Sequence, residues 1–429
     1  MTEYPQFTVI IPQKDRAEYI GATLRTCMIQ DYPNFEIIVS DDCSEDNSVE
    51  VIRSLAKQDS RIKLFAHDHH LGMRDNFEFA LNQVKPGFVI ALGGDDGLTP
   101  GCIWRMYEII KETNCKLLTW TPAIYTYPNK NSNGHSILQV KRPKNKNVRI
   151  LKSKDFLQKI ARTFRYQIDE CPMFYMKGVA STELVNRVKS RTSDGSFYYC
   201  PTPDGFSGVV LAGEVETYAF TYEPLSIGGT TSKSQGKNYR RNDEKSRKEA
   251  QQFFQDNIRR TMHSQLASQQ YSPLVTLMTA DYLLTAADLP GWPGKCYEVS
   301  FKNLLKQTFS FLSKSYFDDA VLGRELNILK KIAEQHDLLD LFNELHSTTI
   351  RRIVRKENIY GFAITNSIRF DASQLGIKDI FDASLPVSFI YHFYNLISFK
   401  ESLNVIKREF SIVKRSFTYK KEHLPSKTT

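Results

Sequence analysis

Two pairs of adjacent aspartates are the residues of this chain best suited to chemistry: Asp41-Asp42 in VSDDCSEDNS and Asp95-Asp96 in LGGDDGL. Neighbouring carboxylates repel each other unless a positive group shares them. Glycines flank the second pair and let a bulky ligand approach the backbone. A hard divalent cation bridging to diphosphate oxygens meets both conditions, because Mg-type ions take one or two carboxylates plus substrate phosphates. A solvated Asp-Gly turn would explain the same letters equally well. Asp41-Asp42 could accept hydrogen bonds from ribose hydroxyls or a base N–H, or cap the following helix, a job for which Asp46 is well placed. Arg74, in HHLGMRDNF, lies between the two pairs. A guanidinium can hold a diphosphate bidentately, although a surface arginine is the plain alternative.

These residues need a scaffold, and the first 130 residues supply an alternating one. Phe7 to Ile11 reads as a buried strand ended by Pro12, and a helical pattern follows from Ala17 to Ile29. Phe35 to Ser40 is a second strand, and Asp46 or Asn47 caps a helix in which Val49, Ile52 and Leu55 recur at helical spacing. Ile62 to Phe65, the helical Phe77 to Val84, Phe88 to Leu92 and a helix begun by Thr99-Pro100 complete the series. Strand–helix alternation implies a doubly wound parallel sheet with right-handed crossovers. Ligands bind such sheets at the carboxyl ends of strands, near the topological switch point. Gln13 to Arg16, Asp41-Asp42, His67 to His70 and Asp95-Asp96 each follow a strand directly. His67 and His69 would share a strand face, but no further metal ligand accompanies them, and a polar strand end is the preferred reading.

The four segments VIIPQKDRAEYI, IIVSDDCSEDNS, HLGMRDNF and VIALGGDDGLTPG together resemble the family 2 glycosyltransferases of the GT-A fold. That family's pattern runs roughly IPxYNRxxxL, VDDGSxDxS, NxGxxxAxN and LxxDD, and the four appear here in order over residues 7 to 101. The resemblance weakens after 130 and ends by about 240. It implies an α/β GT-A domain with a mostly parallel central sheet and a nucleotide-sugar donor, a UDP-sugar in the first instance. Pro12, Asp15, Arg16, Asp41, Asp42, Arg74 and Asp95 would meet the donor, and Asp96 would ligate Mn or Mg on the diphosphate. Its catalytic base is a carboxylate further along. Asp204 in CPTPDGFSG is the choice, with Asp194, Glu214 and Glu216 as rivals. Inversion follows from one base and in-line attack; a second carboxylate for retention is not identified. The chain departs from the pattern in three places. Gln13-Lys14-Asp15 follows Pro12 where relatives have Thr-Tyr-Asn, His70 replaces the Asn before Leu71-Gly72, and Gly-Asp-Asp-Gly stands without a separated Asp-x-Asp.

Length divides the chain. At 429 residues two domains are expected, and we place them at 1–240, catalytic, and 241–429, mainly helical and serving acceptor, membrane or oligomer contacts. Gly228 to Lys237 (GGTTSKSQGK) reads as a mobile loop that could close over the donor, with Lys233 or Lys237 meeting phosphate, or as an ordinary linker. In the last helix Leu403, Ile406, Phe410, Val413 and Phe417 share a face beside many lysines and arginines. It could lie on an anionic membrane, suiting a lipid-linked acceptor, or pack on its own domain. Seven cysteines without a CxxC pair fit a reducing compartment. No signal peptide or spanning apolar run is visible; Leu385 to Ile397 is too short and is interrupted by His392 and Asn395. A cytoplasmic protein, at most at the inner face of the membrane, is expected. The net charge of +9 favours phosphorylated or anionic partners, but the basic residues are dispersed and form no groove-reading motif, so nucleic acid is not an expected partner. The functional expectation is a sugar transfer to a saccharide or lipid-linked saccharide in surface-polysaccharide synthesis. The alternative is a nucleotide-sugar-binding protein that has lost catalysis.

Overall fold

The computed structural model describes residues 4–128, 134–142, 147–200, 202–231, 260–313, 319–349, 363–364 and 367–393, with 248, 252 and 317 singly. The N-terminal alternation forms as the apolar runs dictate. Strands β1 (Phe7–Gln13), β2 (Phe35–Asp41), β3 (Ile62–Ala66) and β4 (Phe88–Ala91) alternate with helices α1 (Ala17–Met28), α2 (Ser48–Ala56) and α3 (Met73–Asn82). They pair in parallel in the order β3-β2-β1-β4. Every residue of β1 and β2 is buried, as strands covered by helices on both faces must be.

Three boundaries differ from the sequence expectation, each for a local reason. Pro12 does not end β1, which continues to Gln13 opposite Asp41. β4 pairs β1 only as far as Ile10 opposite Ala91, so by Pro12 that side of the strand asks for no ladder hydrogen bond from the missing N–H. α3 starts at Met73, on Gly72 with a φ of 92°. The helix α4 (Cys102–Thr113) starts from Gly101 in the left-handed region instead of from a Thr99 cap; Thr99 donates its hydroxyl to Pro224 O at 3.0 Å.

Beyond β4 the sheet becomes mixed. Following the two-residue β5 (Gly97–Leu98) and α4 come β6 (Leu117–Trp120), β7 (Ala123–Thr126), β8 (Ile137–Lys141), β9 (Arg149–Lys152), α5 (Ser153–Thr163), β10 (Gly178–Ser181), α6 (Thr182–Lys189), α7 (Pro203–Gly213), β11 (Thr217–Thr221) and β12 (Ser226–Thr230). The main sheet runs β3-β2-β1-β4-β10-β6-β11-β9, with β10 antiparallel to both neighbours.

A second sheet has the order β13-β14-β8-β7-β12-β5. Its strands β13 (Ala363–Ile364) and β14 (Ser367–Asp371) come from the region expected to be helical to the end of the chain. The alternating SIRFD of β14 pairs antiparallel with β8 over five residues. Helices α8 (Val275–Ala287), α9 (Phe301–Leu312), α10 (Asp319–Gln335) and α11 (Leu339–Thr349) precede these strands, and α12 (Ile380–Phe393) follows them. Ile380, Ala383, Val387 and Ile390 of α12 pack with Tyr19 and Ala22 of α1 and with Ile227 of β12, and Arg25 pairs with Asp379 at 2.6 Å. Helix α12 therefore packs against α1 and β12. No helix among the described residues is long and apolar enough to cross a membrane.

Candidate active site

The site lies at the carboxyl ends of β1, β2 and β4, where strand order reverses on either side of β1. Gln13 joins the parts. Its carbonyl accepts from Asp42 N at 2.9 Å, and its Cβ lies 3.1 Å from where a side chain on Gly94 would begin. Past Pro12 the chain turns through Asp15 at a φ of 51°. Asp15 N donates to Ser44 Oγ at 2.8 Å, and its Oδ1 accepts from Glu45 N at 2.8 Å. Arg16 N donates to Ser48 Oγ at 2.8 Å, so the β1–α1 turn is fastened to the β2–α2 turn. The guanidinium of Arg16 donates to the carbonyls of Lys14 and Asp15 and is the cation that acts on Asp95.

The two acidic pairs have very different surroundings. Asp41 has no exposed surface, and its carboxylate accepts from Ser44 N at 3.0 Å, from the Ser44 hydroxyl at 2.6 Å and from the Gln13 amide. Asp42 accepts from Leu71 N at 2.6 Å and Gly72 N at 3.2 Å and pairs with His70 Nδ1 at 2.8 Å. It thus fixes the turn that opens α3, and His70, in place of the family's Asn, closes the same turn.

Asp95-Asp96 sits in a tight loop after β4. Asp96 accepts from Gly93 N at 2.8 Å and from Gly229 N at 2.9 Å, and the hydroxyl of Tyr175 also bonds its carboxylate. Asp95 accepts from Thr231 Oγ1 at 3.2 Å. Burial, and secondly the charge of Asp95, push Asp96 well above the usual carboxylate range. Burial raises Asp95 too, against the opposing pull of Arg16. Two buried carboxylates raised in this way lack positive charge. Gly93 leaves open the place where it could sit. A Cβ there would lie 2.7 Å from Tyr175 Oη, 2.9 Å from Asp96 Oδ2 and 3.2 Å from Asp95 Oδ1. Three oxygens thus converge on a cradle that any side chain at 93 would fill, and oxygen ligands of this kind suit a hard divalent ion. Among the described residues no cluster of three or more His, Cys, Asp or Glu could hold a metal ion, so Asp95 and Asp96 are the acidic ligands the described site offers.

The other acidic candidates separate by their partners. Asp194 pairs with Arg74 at 2.5 Å, Glu214 is buried against Arg191 at 2.6 Å, and Glu216 is exposed on the turn before β11. Asp204 lies in the first turn of α7, after Pro203. The Tyr166 hydroxyl donates to its Oδ2 at 3.1 Å, while Oδ1 is buried with no hydrogen-bond partner among the described residues. Tyr175, which bonds Asp96, also feels Asp204: burial first, then the charges of Asp96, Asp95 and Asp204, hold its hydroxyl well above the ordinary phenol range.

Arg74 is not aimed at the acidic loop. Its guanidinium donates to Tyr198 O at 2.6 Å and Ser196 Oγ at 2.6 Å besides its pair with Asp194, so it ties α3 to the chain leading into α7. The three histidines diverge. His67 contacts Ser40 Oγ at 2.9 Å, His69 meets Asp68, and His70 meets Asp42. The first part of the expected loop at 228–237 is strand β12, whose glycines let it close on Asp95: a Cβ on Gly229 would meet Asp95 O at 1.9 Å. Lys233 and Lys237, and the basic last helix at 403–417, lie outside the described residues, as does the expected boundary near 240.

The family model of "Glycosyl transferase family 2" matches residues 8–173, which hold β1 to α5 and both acidic pairs. Residues 8–173 form a glycosyl transferase family 2 domain. This agrees with the α/β GT-A reading of the sequence and with the observed topology. Over 109 residues the chain is 35% identical to a Campylobacter jejuni GalNAc(5)-diNAcBac-PP-undecaprenol beta-1,3-glucosyltransferase, covering 25% of this chain and 35% of that one. Over 111 residues it is 27% identical to a putative Bacillus subtilis teichuronic acid biosynthesis glycosyltransferase, TuaG, covering 26% and 44%. Over 89 residues it is 32% identical to the Escherichia coli UDP-Glc:alpha-D-GlcNAc-diphosphoundecaprenol beta-1,3-glucosyltransferase WfgD, covering 21% and 34%. The matched stretch spans between 34% and 44% of the length of these relatives. S. aureus TarS 1–349 in complex with UDP-GlcNAc aligns over 84% of this chain and 95% of that one, at 13% identity and a TM-score of 0.43, too low to carry an argument.

Asp42, Asp95 and Asp96 fall inside the family 2 domain, and Asp204 falls beyond it. Sequence reasoning missed Tyr175, Gly229 and Thr231. The glycine pair at 228–229 was a signal of close backbone approach but was read as a loop. Tyr175, in PMFYMKG, carried no signal: it reaches Asp96 because the turn before β10 passes through Met176 at a φ of 64°, with Met176 N bonded to Ala91 O at 2.7 Å.

Proposed function

We propose that this chain is an inverting glycosyltransferase that moves a sugar from a nucleotide-diphosphate donor, a UDP-sugar in the first instance, to a hydroxyl of a saccharide or lipid-linked saccharide in bacterial surface-polysaccharide synthesis. The observation that carries the reading is the cradle at Gly93, where Asp95, Asp96 and Tyr175 oxygens converge in a family 2 domain. The relatives named for undecaprenol-linked and teichuronic-acid syntheses support the acceptor class.

In this reading Asp95 and Asp96 would hold Mn or Mg, which would supply charge stabilisation to the departing diphosphate. Arg16, beside Asp95, adds a fixed positive charge on the same side. The nucleoside lies against the Pro12–Arg16 turn and the Asp41-Asp42 turn. Asp42 shapes that pocket through the 70–72 turn, since its oxygens are occupied there. Asp204 takes the acceptor's proton as its hydroxyl oxygen attacks the anomeric carbon, and its unpartnered Oδ1 is the atom available to receive it. An acceptor carried on a lipid would bring the chain to the inner face of the cell membrane, with residues 241–429 making acceptor or membrane contacts.

A thermal-shift panel of UDP- and GDP-sugars, each with and without Mn, followed by measurement of nucleotide release, tests the proposal. Stabilisation by one donor that deepens with Mn, and release of its nucleotide diphosphate on adding acceptor, is the expected result. Stabilisation without release would favour the catalytically inactive binder, and no response to any nucleotide sugar would overturn both.

A further inference from the structure

The residue that orients the candidate base lies outside the family 2 motifs. Tyr166 follows α5 and is buried. Its hydroxyl donates to Asp204 Oδ2 at 3.1 Å, and Gln167 Nε2 donates to that hydroxyl at 3.3 Å. Its backbone is held by α8, Tyr166 N donating to Thr279 Oγ1 at 3.2 Å. Its ring meets Tyr282 of the same helix edge-on, with centroids 5.5 Å apart. Gly205 lets α7 close on both rings: a Cβ there would lie 2.2 Å from Tyr282 and 2.9 Å from Tyr166.

The groups that face Asp204 from the surrounding elements are Tyr166 and Cys171, Tyr175 of the turn before β10, and Tyr271 and Tyr282 of the helical region. Burial holds all five above their ordinary range, so they are neutral near pH 7. None of the five is a cation; the lysine that acts on Cys171, Lys177, gives its ammonium to the carbonyls of Ile168 and Asp169. The side-chain hydrogen bond that fixes the carboxylate, among the described residues, is the one from Tyr166.

We propose that Tyr166, braced by α8, is a positioning residue for sugar transfer: it occupies Asp204 Oδ2 and so directs Oδ1 to the acceptor hydroxyl. The inference rests on Asp204 being the base. In the step, the acceptor oxygen forms its bond to the anomeric carbon while its proton passes to Oδ1. The bond from that carbon to the phosphate oxygen breaks, its electron pair leaving with the nucleotide diphosphate. The helical region thereby takes part in the chemistry through Thr279 and Tyr282, without touching the donor.

Tyr166→Phe removes the hydroxyl and keeps the ring. The assay is UDP release from UDP-glucose as probe donor, with GlcNAc-diphosphoundecaprenol as probe acceptor, followed across pH beside Asp204→Asn. The expected result is a kcat about tenfold lower at neutral pH with donor KM unchanged. The acid limb of the kcat profile should move up by about one pH unit, because a carboxylate that loses a donor holds its proton more tightly. Thr279→Val should move the limb in the same direction by less. A merely structural role would lower activity without moving the limb. If Asp204→Asn is inactive and Tyr166→Phe superimposes on the wild-type profile, the inference fails and the base assignment stands. If Asp204→Asn still transfers, the base assignment fails and takes the inference with it.

Discussion

Asp41-Asp42 and Asp95-Asp96 are the same dipeptide at the ends of two strands of one sheet, yet their surroundings give them opposite duties. The first pair is met by four donors from the Ser44, Leu71 and Gly72 backbone and the Ser44 hydroxyl, with Gln13 and His70 besides. Its charges are already satisfied, and it knits the turns after β1, β2 and β3 together. The second pair receives the backbone N–H groups of Gly93, Gly229 and Asp95 itself and two hydroxyls for a pair of buried carboxylates, with one arginine nearby. Its charge is in excess, and an open cradle lies beside it. If the loop after β4 is the cation site, the difference teaches that a pair of acidic residues at a strand end becomes a ligand site when its neighbours leave its charge uncompensated, and a structural knot when they do not.

The largest break in this comparison should come from Asp96→Ala. Turnover should fall by roughly 10²–10³, a loss of about 3–4 kcal/mol of transition-state stabilisation, measured as nucleotide release with Mn present. Near-wild-type turnover would remove the metal role. Gly93→Ala should cost at least about tenfold in the same assay while circular dichroism stays unchanged, because the added methyl takes up the cradle and pushes against the Tyr175 hydroxyl and Asp96 Oδ2.

On the other pair the effect should be on stability. Asp42→Ala strips the partners of Leu71 N and Gly72 N and should cost about 1–3 kcal/mol in urea unfolding. The second pair should also make stability depend on pH. Asp96 is pushed up to about 7 in the fold, above its unfolded value, so the folded state keeps a proton that the unfolded chain releases. The stability of the metal-free protein should therefore fall as pH rises from about 4 to about 7. Asp96→Asn should flatten that slope, and thermal unfolding across pH measures it. Arg74→Ala should have the smallest effect. With its guanidinium committed to the 194–198 segment, donor affinity should stay within about twofold of wild type in a calorimetric titration, and a larger loss would return Arg74 to the diphosphate.

Strong apolar periodicity made the β1-to-β4 alternation legible, and parallel pairing with the strand ends at one side followed from it. The four-motif order over residues 7 to 101 made the family legible too. What sequence could not show was which oxygen each carboxylate had to spare. That depends on Gln13 reaching Asp41, His70 reaching Asp42 and Tyr175 reaching Asp96, contacts across 28, 28 and 79 positions of chain. β12 was read as loop because Gly228-Gly229-Thr230 lacks the apolar alternation of a strand. Its place is fixed from outside, by β5, β7 and Ile380 of α12. Arg74 was given to the diphosphate because it lay between the acidic motifs in sequence, whereas a helix carries its side chains to whatever faces them, here the segment before α7.

Titration of Mn into the protein in the presence of UDP, followed by the loss of free-Mn paramagnetic signal, is the most direct test. Wild type and Asp42→Asn should bind one ion with similar affinity, while Asp95→Asn/Asp96→Asn should bind none. Equal binding by all three proteins, or loss of binding in Asp42→Asn alone, would contradict the assignment of the cation to the loop after β4.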